Sequence, residues 1–123
     1  MATWADVTRI VTSLPGVDAT AARTWKVAGK LLAWERPLRK ADLEALGAAA
    51  PKGDILGVHV SMDAREMLLD AAPAVFFTTP HFDGYPAILV RLAKIRVPAL
   101  RGLLEDAWRA RAPKRLVAQL DGG

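Results

Sequence analysis

Val75-Phe76-Phe77-Thr78-Thr79-Pro80-His81-Phe82-Asp83-Gly84-Tyr85-Pro86-Ala87-Ile88-Leu89-Val90 is the stretch from which the fold can be read. Two apolar runs, Val75 to Phe77 and Ala87 to Val90, have the length and composition of buried strands. Nine residues, mostly polar or backbone-fixing, separate them, which predicts an antiparallel hairpin with a long connection. Pro80 and Pro86 stiffen the connection and Gly84 turns it. The connection therefore holds Thr78, Thr79, His81, Asp83 and Tyr85 at a hairpin tip, a placement that suits recognition better than packing. Read as an extended segment, residues 81, 83 and 85 alternate to one side with Phe82 on the other.

Upstream, Thr24 to Ala28 and Leu31 to Glu35 form a second strand pair, joined at Gly29-Lys30, with Lys26 and Lys30 near the tip. Ile55 to Val60 is a further strand. Helices fill the intervals. Thr3 and Asp6 are spaced as a capping box ahead of Val7, Ile10, Val11 and Leu14, and Leu14-Pro15-Gly16 ends that helix. Residues 17–23 read as a short loop. Lys40 to Leu46 is a short helix, Ser61 caps another that Pro73 closes, and Pro98 opens the clearest, with Leu100, Leu103, Leu104, Ala107 and Trp108 in one stripe. Ala112-Pro113 breaks it, and Lys114 to Leu120 adds a final turn or two. The order is helix, hairpin, helix, strand, helix, hairpin, helix. It predicts a single α+β domain over residues 1–123, built on an antiparallel-rich sheet of about five strands with two hairpins and flanking helices.

The totals exclude several classes. The chain has 123 residues, no cysteine and a formal net charge of +4. Disulfide frameworks, thiolate chemistry and zinc-cysteine sites are ruled out. No apolar run approaches the roughly 20 residues that span a bilayer, and the N-terminus lacks the pattern of a secretory signal, so a cytoplasmic location without membrane association is expected. The charge is segregated. Residues 23–40 carry Arg23, Lys26, Lys30, Arg36, Arg39 and Lys40 against Glu35, and residues 91–115 are also basic, whereas residues 42–83 are mostly acidic. A basic face attracts polyanions, foremost nucleic acid. Lys26, Lys30, Arg36, Arg39, Lys40, Lys114 and Arg115 are the expected phosphate contacts.

The alternative is a small-molecule or protein binding module centred on His81, Asp83 and Tyr85 with the hydroxyls of Thr78 and Thr79. Catalysis is not expected. A His-Asp pair orients a base, but no nucleophile elbow or Gly-rich phosphate loop accompanies it. His59, His81 and Asp83 would suffice for a metal by donor type, yet His59 stands in an apolar strand where a core histidine is expected. No cofactor is expected. Of the four tryptophans, Trp108 and Trp34 are assigned to packing.

Three passages, Ser13-Leu14-Pro15-Gly16-Val17, Trp25 to Trp34, and Val75 to Val90, resemble in order and spacing the MmcQ/YjbR family over nearly the whole chain. The resemblance implies a compact α+β fold related to the CyaY/frataxin type, with two hairpin "wings" proposed to contact DNA. Its departure is Ala28, where members often carry glycine. The iron chemistry of frataxins is not implied, because Asp6 is the only acid in the first helix segment.

Overall fold

The computed structural model describes residues 1–122. Six strands form one antiparallel sheet in the order β1-β2-β3-β4-β6-β5: β1 (Val17–Ala21), β2 (Thr24–Val27), β3 (Lys30–Glu35), β4 (Ile55–His59), β5 (Phe76–Phe77) and β6 (Ala87–Arg91). Helices α1 (Trp4–Thr12), α3 (Met62–Ala71), α4 (Val97–Arg111) and α5 (Lys114–Asp121) supply the apolar side chains that meet one sheet face, and α2 (Lys40–Leu46) lies on the other. The α+β class and both expected hairpins are present, and the sheet has six strands.

The additional strand is β1, read from the sequence as a loop. Asp18, Ala19, Thr20 and Ala21 are all exposed, so it carries no apolar alternation to betray it. Backbone pairing to β2 defines it, with Val17 opposite Val27 and Asp18 opposite Lys26.

The β2–β3 turn consists of Ala28 and Gly29, one residue earlier than expected, and Lys30 opens β3 opposite Val27. Both turn residues have positive φ, 51° and 77°, as a type I′ turn requires. Gly29 adopts this freely, whereas Ala28 does not. Ala28→Asn should therefore raise stability by about 0.5 to 1 kcal/mol, since asparagine tolerates the left-handed region without the unfolded-state entropy of glycine. Urea unfolding checks this, and an unchanged midpoint would show that the turn stores no strain.

The helix boundaries follow local chemistry. Thr3 Oγ1 accepts from the Asp6 amide at 3.3 Å while Asp6 Oδ2 accepts from the Thr3 amide at 2.9 Å, completing the capping box. Ser61 Oγ accepts from the Ala64 amide at 3.1 Å. The final helix runs Lys114–Asp121, about two turns as expected and one residue beyond Leu120, and it is tied back by a bidentate Arg109–Asp121 pair at 2.7 and 2.9 Å.

The main core joins Val7, Ile10 and Val11 of α1 to Leu100, Leu104 and Trp108 of α4 across Val27, Leu32, Leu56, Val58, Ile88 and Val90. Trp108 is fully buried, and its indole N–H donates to the Pro15 carbonyl at 2.9 Å, which fixes the Leu-Pro-Gly exit of α1. The second sheet face holds a smaller cluster of Ile55, Phe77, Phe82, Ala87 and Leu89, backed by Trp34, Leu38 and Leu46. This cover ends at β3. Beyond it Lys26 and Leu31, a cross-strand pair, are only half-buried.

Candidate functional site

A cleft of about 450 Å3 opens where that cover ends, walled by Leu31, Trp34 and Glu35 of β3, by Arg36, Pro37 and Arg39 of the β3–α2 connection, and by His81, Phe82 and Tyr85; the Glu35 carboxylate is engaged by Arg23 at 2.9 Å. Its shape depends on a glycine. Gly57 pairs with Trp34 across β3 and β4, and a Cβ there would lie 2.5 Å from the indole ring. Without that side chain the Trp34 ring lies flat on β4 and forms one wall.

Phe82 forms the base. Pro80 opens a single 3₁₀ turn, Pro80–Phe82, that drives Phe82 into the smaller core at 6% exposure. Around it stand His81 at 4.9 Å between ring centroids, Tyr85 at 6.0 Å and Trp34 at 6.4 Å. The Arg36 guanidinium lies 5.2 Å from the same ring. His81 and Tyr85 are exposed, so the cleft presents aromatic surface on a packed support.

The turn corrects the extended reading of the loop. His81 and Tyr85 line this cleft, whereas Asp83 joins Thr78, Thr79, Pro80 and Arg65 around a separate cavity of about 370 Å3. The five loop residues thus do not converge. Arg65, not singled out in the sequence, is buried and donates to Thr78 Oγ1 at 3.1 Å and to Glu66 Oε1 at 3.0 Å. His59 lines neither cavity and stands edge-on to Tyr85, 6.3 Å between ring centroids. Among the described residues no three His, Cys, Asp or Glu side chains gather as a metal site.

Arg36 also departs from its expected role. It is buried at 5% exposure, donates to Asp42 Oδ2 at 3.0 Å and to the Pro37 carbonyl, and is not a phosphate contact. Asp42 also accepts from the Arg39 amide at 2.8 Å at the start of α2. Burial raises the Asp42 carboxyl, but the Arg39 amide, the Arg36 charge and hydrogen bond, and the Thr79 hydroxyl outweigh it and hold it below the ordinary carboxylate value. Thr79 Oγ1 is itself buried without a partner in good hydrogen-bond geometry, so its contribution is the weakest of these.

The other expected basic contacts are exposed or half-buried, and none makes an ion pair among the described residues. They form two groups. Arg39 lines the cleft and Lys40 follows it at the start of α2, while Lys26 is the cross-strand partner of Leu31, which lines the cleft. Lys30 lies at the hairpin end, opposite Val27. Leu116 packs on Gly16 next to Val17, itself paired with Val27, so Lys114 and Arg115 belong to that end too. Two cations in the first turn of α5 oppose the helix dipole and concentrate positive potential there. Asp18 faces Lys26 in register but forms no ion pair with it.

His59 titrates below its ordinary value, first through burial and then through the positive charge of Arg111. The unfolded chain therefore binds this proton more readily than the folded one. The neutral imidazole's contribution to stability is present above the unfolded value of 6.5 and is lost as pH falls through the lower folded value. Urea midpoints should fall between pH 7.5 and pH 5, and His59→Gln should flatten that fall; an identical slope in the variant would place the proton uptake elsewhere.

The fold has a counterpart among solved structures. It is similar to the crystal structure of Deinococcus radiodurans protein DR2400, a DUF419 domain, with a TM-score of 0.66 and 18% identity over 98% of this chain and 89% of that one. DUF419 is the YjbR/MmcQ-like family, so the expected fold is the one found. No family model matches the chain. Uncharacterized protein Rv2570 of Mycobacterium tuberculosis (strain ATCC 25618 / H37Rv) is 57% identical over 121 residues, covering 95% of this chain and 94% of the relative. Uncharacterized protein Mb2600 of Mycobacterium bovis matches to the same extent, 57% over 121 residues. The chain belongs to the family of these mycobacterial proteins. Among the described residues no helix is long and apolar enough to cross a membrane.

Proposed function

We propose that this protein is a DNA-binding module of the MmcQ/YjbR type that holds the nucleic-acid backbone on Lys26, Lys30, Arg39 and Lys40, with Lys114 and Arg115 extending the contact at the hairpin end. The observation that carries the reading is position. Among the described residues Lys26, Lys30, Arg39, Lys40, Lys114 and Arg115 make no ion pair, a freedom they share with Lys52, Arg91, Lys94, Arg96, Arg101 and Arg111, but they alone stand beside the cleft or at the hairpin end. Unpaired cations beside a concave aromatic surface suit a phosphate backbone. The role is binding rather than catalysis, and it requires no cofactor.

The small-ligand alternative is weakened because His81 and Asp83 open onto different cavities. Fluorescence anisotropy with labelled duplex and single-stranded DNA at low and moderate salt tests the proposal. Six phosphate contacts would give a salt slope of about −4 on a single strand or about −5 on a duplex. Absence of binding to either form at low salt would refute it.

A further inference from the structure

The cleft has a feature that backbone neutralisation leaves unused. Three rings, Trp34, His81 and Tyr85, surround the buried ring of Phe82 at centroid separations of 4.9 to 6.4 Å, and Tyr85 keeps 43% of its surface exposed. Aromatic side chains gathered beside a concavity mark a binding surface more often than the same side chains scattered singly. Here they adjoin Arg39, which is exposed and makes no ion pair among the described residues, at the wall of a cavity of ligand size, about 450 Å3. We infer that this cleft takes an unpaired nucleobase, stacked on Tyr85 and the neighbouring rings, so that the protein binds single-stranded DNA in preference to duplex; this rests on the DNA-binding reading above.

In a duplex the faces of the bases are stacked on one another, and only their edges are open in the grooves, where a helix or two-stranded ribbon must enter to read them. Neither hairpin presents such a ribbon. The β2–β3 pair is flanked by β1 and β4 and ends in a two-residue turn, and the β5–β6 connection is pinned to the sheet by Phe82. A single strand has no such requirement. Its bases splay onto aromatic side chains while adjacent phosphates follow a basic groove. Arg39 at the wall of the cleft and Lys26, the cross-strand partner of its lining residue Leu31, supply cations for such a groove. The rings are also held in advance. Gly57 fixes the seat of Trp34, and the Arg36–Asp42 pair holds the guanidinium over Phe82. The charge of Arg36 is spent on Asp42, so the floor of the cleft offers a flat surface rather than a phosphate site.

The test compares a labelled oligothymidylate, the same backbone with abasic sites throughout, a duplex of equal length and an oligouridylate, each by anisotropy at low salt. The thymidylate strand should bind about ten-fold or more tighter than the abasic strand and the duplex. Tyr85→Ala should lose about ten-fold on the thymidylate strand and nothing on the abasic one, while Tyr85→Phe keeps parental affinity. Equal affinity for the abasic strand, or no change in Tyr85→Ala with its circular dichroism intact, would overturn the base site and leave the basic surface standing. Oligouridylate bound as tightly supports the base as the recognised element, and uridylate bound to the exclusion of thymidylate overturns the assignment to DNA. Failure of every strand to bind removes the DNA-binding reading along with it.

Discussion

Asp42→Ala should destabilise this protein by about 3 to 5 kcal/mol, because it leaves the buried Arg36 guanidinium without its counter-charge. Both side chains are nearly sealed from water, at 6% and 4% exposure. The same substitution removes the acceptor for the Arg39 amide at the start of α2, a loss of about 1 kcal/mol in helix-capping experiments. Against a total stability of roughly 5 to 15 kcal/mol for a domain this size, the variant should be marginal. The urea midpoint, followed by tryptophan fluorescence, gives the answer. Arg36→Met combined with Asp42→Leu should recover most of the loss, because replacing both partners of a buried pair by apolar groups is often neutral. If Asp42→Ala alone costs less than about 1 kcal/mol, then Arg36 finds water or another acceptor and the pair is not the support assigned to it. The pH dependence has a defined sign. Asp42 is held below its ordinary value of 3.8, so its contribution stands above that pH and is lost as pH falls through the lower folded value.

The helices were legible because their signals are local. A capping box at Thr3 and Asp6, a serine cap at Ser61, and Gly47 after Leu46 each act within a few residues of themselves, and α2 runs over the expected Lys40–Leu46. Strand β1 was not legible, since an exposed strand held by backbone pairing leaves no apolar period in its side chains. The candidate site was legible in its parts and not in its assembly. Arg36 looked like another member of a basic run, and its partner lies six residues away on a different element. Trp34 was read as packing, which describes the face of its ring over Gly57 but not the side that walls the cleft. In the loop, strict alternation from His81 to Tyr85 assumed an extended backbone. Pro80 at the first position of a turn, with one buried aromatic two residues later, was the signal that it is not. That turn brings His81 and Tyr85 beside Arg39, so the two surfaces treated as alternatives in the sequence share one cleft.

That sharing gives the largest functional effect to the basic residues. Replacing Lys26, Lys30, Arg39 and Lys40 together by glutamine should abolish nucleic-acid binding while leaving the fold intact. Their exposed or half-buried positions and lack of ion pairs mean that each change costs within about 0.5 kcal/mol of stability. The binding loss follows from counterion release. Four neutralised phosphates on a single strand contribute a salt slope of about −2.8, so at 0.1 M salt their removal lowers the association constant by about 2.8 log units. The slope itself should become shallower by the same amount, and that separates loss of phosphate contacts from a general loosening of the complex. Net charge must be held apart from position. A control carrying Lys52, Lys94, Arg96 and Arg101 as glutamine removes the same number of exposed charges away from the cleft. If the control retains the parental slope, the phosphates sit on the surface that Arg39 and Lys26 define. If both variants lose affinity equally, attraction is a property of the net charge of +4 and the cleft is not where the backbone lies.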